Sequence, residues 1–120
     1  MREIELYETL TGRSPVRDFI RGLPPTARHK LGRVLDVVRN SPRVPATYLK
    51  KLRGTEELWE VRVHDRGNEY RLLCFYYARS LIVLVSGFAK KTERVPTLEI
   101  QLAHQRRRDY LTRSGGHGRS

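Results

Sequence analysis

Residues 58–88, LWEVRVHDRGNEYRLLCFYYARSLIVLVSGF, decide the fold of this chain. Apolar and polar residues alternate through residues 59–64, which is the period of a β-strand with one buried face. The apolar face would carry Trp59, Val61 and Val63, and the opposite face would carry Glu60, Arg62 and His64.

Two further strands follow in the same stretch. Residues 69–77 are rich in aromatic and aliphatic residues and would return beside the first strand, since residues 65–68 carry a turn signal. Residues 78–80 form a second short turn, and residues 81–88 are apolar on both faces, which is typical of a central strand. The pattern predicts an antiparallel meander, with Cys74 as a small buried hydrophobe.

Two helices are predicted before the meander. Ser14-Pro15 is a good N-cap and first helical position, so a short helix is expected over residues 15–21. Pro24-Pro25 starts a second helix, and Ser41-Pro42 stops it. The apolar residues of this second helix recur at helical spacing: Ala27, Leu31, Val34, Leu35 and Val38. The two helices would form a packing hairpin.

The ends of the chain complete an α+β fold. A short strand is predicted over residues 3–7, and a basic loop over residues 89–94 follows the meander. Pro96 opens a last helix that would run to about Leu111. The predicted architecture is an N-terminal strand and a helical hairpin packed on a twisted antiparallel β-meander, with a C-terminal helix.

We expect a single domain over residues 1–113, because this length suits one modest core. Residues 114–120 are rich in Gly and Ser and are predicted to be a disordered tail. A single cysteine excludes an internal disulfide and supplies no metal cluster.

Composition limits the partners of this protein. Its 120 residues include 24 Lys and Arg against 13 Asp and Glu, which gives a formal net charge of +11 and a pI of about 10.5. This excess favours a polyanionic partner such as nucleic acid, a ribosome, an acidic protein or an anionic membrane. The charged N-terminus has no signal-peptide core, and the longest aliphatic run, residues 81–85, is far too short to span a membrane. We expect a cytoplasmic protein without a membrane segment.

Familiar cofactor and metal motifs are absent from the sequence. There is no Gly-rich phosphate loop, no His/Cys spacing typical of zinc, and no close carboxylate pair suited to metal-dependent phosphoryl chemistry. RNA can be cut without a metal when its 2′-hydroxyl attacks the adjacent phosphorus. The protein must then align the attack, stabilise negative charge on the phosphate and move protons. We therefore expect no cofactor and no metal.

Side chains on or just after the meander are the candidates for such chemistry. The cations are Arg62, Arg71, Lys90 and Lys91. His64 shares a strand face with Arg62 and titrates near neutrality, so it is a candidate general acid or base, as is Glu60. Arg71 stands among apolar residues, where a charge needs a partner. The alternative interpretation of Glu60, Arg62 and His64 is a solvated sheet face.

An ordered set of segments resembles the RelE/ParE superfamily of toxins, and especially its phage-derived, HigB-like branch. The segments lie within residues 14–112 and are Leu52-Arg53-Gly54, Leu58 to Val63, Tyr70-Arg71-Leu72, Ser86 to Thr92, Pro96, Glu99-Ile100, and Ala103 to Tyr110. Each segment is common by itself, and the resemblance depends on their order and spacing. It implies a RelE-like fold.

The resemblance also implies a function. Most such toxins belong to type II toxin–antitoxin systems, enter the ribosomal A site and cleave messenger RNA there. An antitoxin, often a HigA-like helix-turn-helix protein from a neighbouring gene, holds them in check. By this likeness the reaction would be carried by Arg62, Arg71, Lys90 and Lys91.

This sequence departs from the family pattern at two places that affect the site. Glu60 stands where some relatives have Lys, and no clear Tyr follows the basic loop. Base stacking would then pass to Phe88, with a place in the hydrophobic core as the alternative for this residue. We further predict that the arginines of the last helix contact RNA backbone, with a solvated helix end or an antitoxin contact as alternatives. These arginines are Arg106, Arg107 and Arg108, expected near the C-terminal end of that helix.

Two other functions remain open from the sequence. ParE-type relatives poison DNA gyrase and cut no RNA, although they do not require clustered cations on the sheet. A non-catalytic RNA-binding module would also explain the basic face.

Overall fold

The chain folds into a five-stranded sheet flanked by three helices in a computed structural model that describes residues 1–55 and 57–118, with side chains through Ser114. In chain order the elements are β1 (Glu3–Leu6), α1 (Pro15–Arg21), α2 (Pro25–Asn40), β2 (Leu49–Lys51), β3 (Trp59–Asp65), β4 (Asn68–Tyr77), β5 (Leu81–Lys90) and α3 (Thr97–Gly118). The predicted α+β class, helical hairpin and C-terminal helix are confirmed.

The strand order is β1-β5-β4-β3-β2, so the predicted meander forms the middle of the sheet. Strands β3, β4 and β5 pair antiparallel, whereas β1 pairs parallel with β5, which makes the sheet mixed. The strand over residues 81–88, predicted to be central, is an interior strand between β1 and β4, and β4 is the middle strand of the sheet. Strand β2 was not predicted, because its three residues, LKK, show no alternation of apolar and polar residues.

The β3–β4 turn follows from its residue types. Arg66 and Gly67 have φ angles of 52° and 80°, and two successive positive φ values characterise the tight hairpin turn that matches strand twist. This turn brings residues 59–65 and 68–74 into direct register. The register decides which polar side chains meet across the strands.

The helical hairpin packs on one face of the sheet, here called the hairpin face. The Ser14 hydroxyl accepts a hydrogen bond from the Arg17 amide at 3.2 Å, which confirms the predicted N-cap. Apolar side chains from both helices and the strands form a buried cluster that includes Val16, Leu31, Val34, Val38, Val61, Val63, Leu72 and Leu84. Gly87 is required on this face, because a Cβ there would lie 2.4 Å from Cδ2 of Phe19.

Helix α3 covers the other face, here called the α3 face. Its buried cluster includes Leu58, Leu73, Phe75, Val83, Val85, Phe88 and Ala103. A β-bulge interrupts the β4–β5 ladder, since Leu73 pairs with Ser86 while Cys74 pairs with Leu84. The buried Cys74 thiol matches the expectation, and burial raises its pKa above the ordinary value.

Helix α3 is longer than predicted, because it continues beyond Leu111 to Gly118. Contacts with the N-terminal segment lie on both sides of Leu111: the Tyr110 hydroxyl donates to Glu5 at 2.9 Å, and the Arg113 guanidinium donates to the Glu8 carbonyl. The predicted disordered tail is therefore partly helical, and its last two residues lie outside the described part of the chain. Among the described residues, no helix is long and apolar enough to cross a membrane.

Candidate functional site

Cross-strand pairing brings five of the six predicted catalytic residues to the α3 face. Residues paired directly across antiparallel strands point to the same side of the sheet. The pairing rows are His64–Glu69–Lys90, Arg62–Arg71–Phe88 and Glu60–Leu73–Ser86, with Lys50 of β2 beside Glu60. The first row is nearest the β3–β4 turn and lies outside the buried cluster under α3. Lys91 follows the end of β5 and is exposed.

Arg71 is the buried centre of this set. Arg71 is 3% exposed, and its guanidinium contacts two carboxylates. Nε lies 3.0 Å from Oε1 of Glu60, as an ion pair rather than a directed hydrogen bond, and a guanidinium NH donates to Oε1 of Glu69 at 2.8 Å. The sequence predicted that the charge of Arg71 needs a partner, and two carboxylates, those of Glu60 and Glu69, supply it. The guanidinium is neutralised from within the protein and is not presented to solvent.

Glu69 connects this buried ion pair to the surface. Its Oε1 accepts from Arg71, and its Oε2 is bonded to Nδ1 of His64. The hydrogen bond from Arg71 is the main reason that the pKa of the Glu69 carboxyl is lowered, with a smaller contribution from His64. The His64 side chain is 60% exposed, so its imidazole is oriented by a carboxylate but open to a ligand.

The remaining cations of the set are closer to solvent. Arg62 is half-buried, and one NH of its guanidinium makes a long contact of 3.4 Å with the Ala46 carbonyl. Lys90 ends β5 and donates to the Glu93 carbonyl at 2.7 Å, so it is a strand residue rather than part of the predicted loop. Arg62, Lys90 and Lys91 are thus the predicted cations that an anionic ligand could reach.

The arginines of α3 are placed differently from the prediction, because the helix continues past them. Arg106 turns inward and donates to the Val85 carbonyl at 2.7 Å and to the Ser86 hydroxyl at 3.0 Å, and desolvation by burial lowers its pKa. Cζ of Arg107 lies over the Phe75 ring, 5.6 Å from the ring centroid. Arg108 is exposed, so it is the member of the run that is open to an RNA backbone.

Phe88 is 8% exposed and belongs to the buried cluster under α3. The structure therefore does not favour the stacking of a base on its ring. Within the described ranges, no group of three or more His, Cys, Asp or Glu side chains is placed to hold a metal ion.

Sequence reasoning missed Glu69 and Lys50. The signal for Glu69 was present, since a two-residue turn centred on Arg66 and Gly67 places Glu69 directly opposite His64. Lys50 had no comparable signal, because the short strand β2 was not recognised. What emerges is a chain of contacts, Glu60–Arg71–Glu69–His64, that runs from the buried sheet to an exposed imidazole and is here called the ion network.

Comparison with known proteins identifies the family of this chain. No curated protein matches the chain. Residues 18–108, however, match the family described as Phage derived protein Gp49-like (DUF891), and this range includes all the sheet residues from β2 to β5 together with Arg106, Arg107 and Arg108 of α3. The chain therefore belongs to the phage-derived Gp49-like family, which is part of the RelE/ParE-like toxin superfamily.

Proposed function

We propose that this protein is the toxin of a type II toxin–antitoxin pair and cleaves messenger RNA on the ribosome. The superfamily supports a toxin, and the net charge of +11 supports a polyanionic target. The observation that carries the cleavage hypothesis is the exposed imidazole of His64, held by Glu69 at the open end of the α3 face.

His64 is better suited than Glu60 to be the general base. Its Nδ1 faces Glu69, which leaves Nε2 for a substrate proton and holds the ring in one orientation. Glu60 is 8% exposed and paired with Arg71, so its carboxylate lies away from an RNA strand on the surface. We therefore assign the base to His64 and a positioning role to Glu60.

The reaction balances without a metal or cofactor. Nε2 of His64 takes the proton of the 2′-hydroxyl, O2′ bonds to phosphorus, and the bond from phosphorus to O5′ breaks. Lys90 or Lys91 supplies a proton to O5′, so that the products are a 2′,3′-cyclic phosphate and a 5′-hydroxyl. Arg62 neutralises the phosphate, and loss of one such stabiliser typically costs on the order of 10²–10³ in rate.

Arg71 acts through its neighbours rather than on the phosphate. It holds Glu69, and Glu69 in turn orients His64. The family resemblance places Arg71 among the cations that carry the reaction, but a guanidinium that is 3% exposed and faces two carboxylates has no room for a third anion.

The proposal includes partners. The ribosome and its messenger RNA are the targets, in the cytoplasm, and an antitoxin from a neighbouring gene, of the helix-turn-helix HigA-like kind, is expected to neutralise the toxin. Co-expression of that antitoxin should abolish growth arrest by the wild-type chain.

The test is cleavage of a translated messenger RNA, with and without ribosomes, with mapping of the new 5′ ends. Wild type should give ribosome-dependent cuts whose new 5′ ends carry a hydroxyl. His64→Ala should remove the cuts, and Arg71→Ala should reduce them strongly. His104→Ala, a matched change on α3, should leave them intact.

Other outcomes would decide against this assignment. Unchanged cleavage by Arg71→Ala and His64→Ala would show that the ion network is not the site. Absence of cuts under every condition would overturn the nuclease proposal. Accumulation of cleaved gyrase–DNA complexes would then identify a gyrase inhibitor, and salt-sensitive RNA binding without a cyclic phosphate would identify a binding module.

A further inference from the structure

A second basic surface lies beside His64, between α2 and the edge of β3. Two adjoining cavities, of about 240 and 260 Å³, share Lys30, Val34 and Tyr48 as lining residues. The first cavity opens onto Arg62, His64 and Glu69, and the second extends along α2 to Arg33. We call this surface the α2 groove.

The groove exists because β2 is short. β2 pairs with residues 59–61 of β3 and leaves the edge of β3 beyond Val61 without a strand neighbour. The chain before β2 passes this edge at Tyr48, whose carbonyl accepts the Arg62 amide at 2.9 Å and whose own amide donates to the Pro45 carbonyl at 2.9 Å. These bonds hold the tyrosine backbone in place, so its half-buried ring is a pre-positioned wall of the groove.

The cations of the groove are suited to a phosphate backbone. Lys30 and Arg33 are three residues apart on α2, so they lie on one side of the helix. Neither makes an ion pair or a side-chain hydrogen bond among the described residues, and Arg33 is exposed. A third cavity shares both residues and continues past Asp65 to Arg66. The Asp65 carboxylate accepts a hydrogen bond from Thr26 at 2.8 Å, and three cations against one carboxylate keep this cavity positive overall.

We propose that the α2 groove binds single-stranded RNA next to the scissile phosphate, with a base stacked on Tyr48 and phosphates on Lys30 and Arg33. The inference rests on the proposed function and identifies the path of its substrate. Both cavities are smaller than the roughly 300–1,000 Å³ of sites for drug-sized ligands, so each accommodates one ring system rather than a large cofactor.

An aromatic ring between cations favours RNA over an acidic protein. Stacking on an aromatic side chain is tolerant of base identity, and cations along a groove follow the backbone. Phe88 is buried, whereas the half-buried ring of Tyr48 lines the cavity that opens at His64. Its opening at His64 would deliver the 2′-hydroxyl of the bound strand to the imidazole.

The probe is a short, fluorescein-labelled 2′-O-methyl oligouridine, which lacks the attacking hydroxyl and is followed by anisotropy over a range of salt. Tyr48→Leu keeps an apolar side chain but removes the ring, and should weaken binding roughly tenfold. Tyr48→Phe should bind like wild type. The Lys30→Ala/Arg33→Ala pair should lower the slope of log K against log salt by about 0.7 for each phosphate that is no longer neutralised.

Arg79→Ala, an exposed change in the β4–β5 turn, is the matched control and should leave the affinity nearly unchanged apart from the small effect of one charge. Thermal unfolding of each variant separates weakened binding from impaired folding, and the surface pair Lys30→Ala/Arg33→Ala keeps the test valid if Tyr48→Leu is unstable. Equal affinity of wild type, Tyr48→Leu and the lysine–arginine pair would overturn the groove. Polyglutamate is the competitor that tests for an acidic protein. If it displaces the oligouridine from wild type and this displacement depends on Tyr48 as strongly as RNA binding does, the groove binds an acidic protein and the RNA assignment is overturned.

Cleavage is measured separately on translating ribosomes. If wild type cleaves and the groove variants cleave equally well, the groove is wrong and the proposed function stands. If wild type does not cleave, the proposed function fails, while the oligouridine titration still decides whether the groove binds RNA.

Discussion

The two faces of the sheet differ in what they bury. The hairpin face is apolar, with side chains such as Val61, Val63 and Leu72 fully or nearly fully buried. The α3 face buries Glu60, Arg71 and Ser86 beside its apolar cluster. Removing charges from water costs free energy that an ion pair seldom returns in full. Both faces therefore bury an apolar cluster, and the α3 face in addition buries charged groups whose desolvation opposes folding.

The largest loss of stability is expected from Arg71→Ala on the α3 face. The change leaves the Glu60 carboxylate buried without its cation, which typically costs about 3–5 kcal/mol. Urea unfolding followed by circular dichroism would measure the difference. The double variant Arg71→Met/Glu60→Leu should recover most of the loss, because an apolar pair can replace a buried ion pair at little cost. A loss below about 1 kcal/mol for Arg71→Ala would contradict the buried-pair interpretation.

On the hairpin face, Leu31→Ala should cost about 3 kcal/mol within a range of 2–5. Leu31 is 2% exposed in the apolar cluster, so its truncation leaves a cavity. Leu98→Ala is the matched control, since Leu98 is 75% exposed and should change stability by less than about 0.5 kcal/mol. The comparison of the faces would be sharpened if Leu31→Ala kept the proposed RNA cleavage at the wild-type level below its unfolding temperature. Equal losses of stability for Leu31→Ala and Leu98→Ala would contradict the burial of Leu31 in the apolar cluster of the hairpin face.

Gly87→Ala tests the close approach of α1 to the sheet and should cost about 1–3 kcal/mol. Its Cβ would lie 2.4 Å from a Phe19 ring carbon, so the ring or the backbone must move. Gly32→Ala should have the opposite sign, with a gain of about 0.5–1 kcal/mol, because Gly32 lies within α2 and has open space around its Cβ position. Thermal unfolding of both variants measures the change in stability. If the two changes have the same sign, the Phe19 ring does not restrict the side chain at position 87.

The smallest effect is a pH dependence that belongs to the α3 face. Hydrogen bonds from Arg71 to Glu69 and from Tyr7 to Asp109 lower the pKa of both carboxyls in the folded state. Their contribution to stability is therefore fully present above the unfolded values, near pH 4 to 4.5, and is lost as the pH falls through the lowered folded values. Urea unfolding between neutral and acidic pH should show this loss.

The variants Glu69→Gln and Asp109→Asn should each flatten the acidic part of that curve. A curve identical to wild type in both variants would show that other carboxyls cause the acid destabilisation. Leu31→Ala should lower the curve without changing its shape, since no titrating group is altered.

Local patterns predicted much of the fold. Alternation in residues 59–64 and the turn residues 65–68 determined the β3–β4 hairpin, because strand period and turn chemistry act over a few neighbours. Ser14-Pro15 and Ser41-Pro42 likewise marked the start of α1 and the end of α2. The parallel pairing of β1 with β5 and the full length of α3 were not predictable in this way, since both depend on contacts of the N-terminal segment with residues far away in the chain.

The same distinction between local sequence patterns and contacts between distant residues applies to the candidate site. The sequence by itself determined which residue types carry charge and that Glu60, Arg62 and His64 share a face, because a strand alternates its side chains. Only the tertiary structure decided that Glu69 joins Arg71 to His64, that Arg106 bonds to the bulge in β5, and that Phe88 is buried. The physical reason is that charge pairing and burial depend on neighbours brought together by strand register and helix packing, and these are distant in the chain.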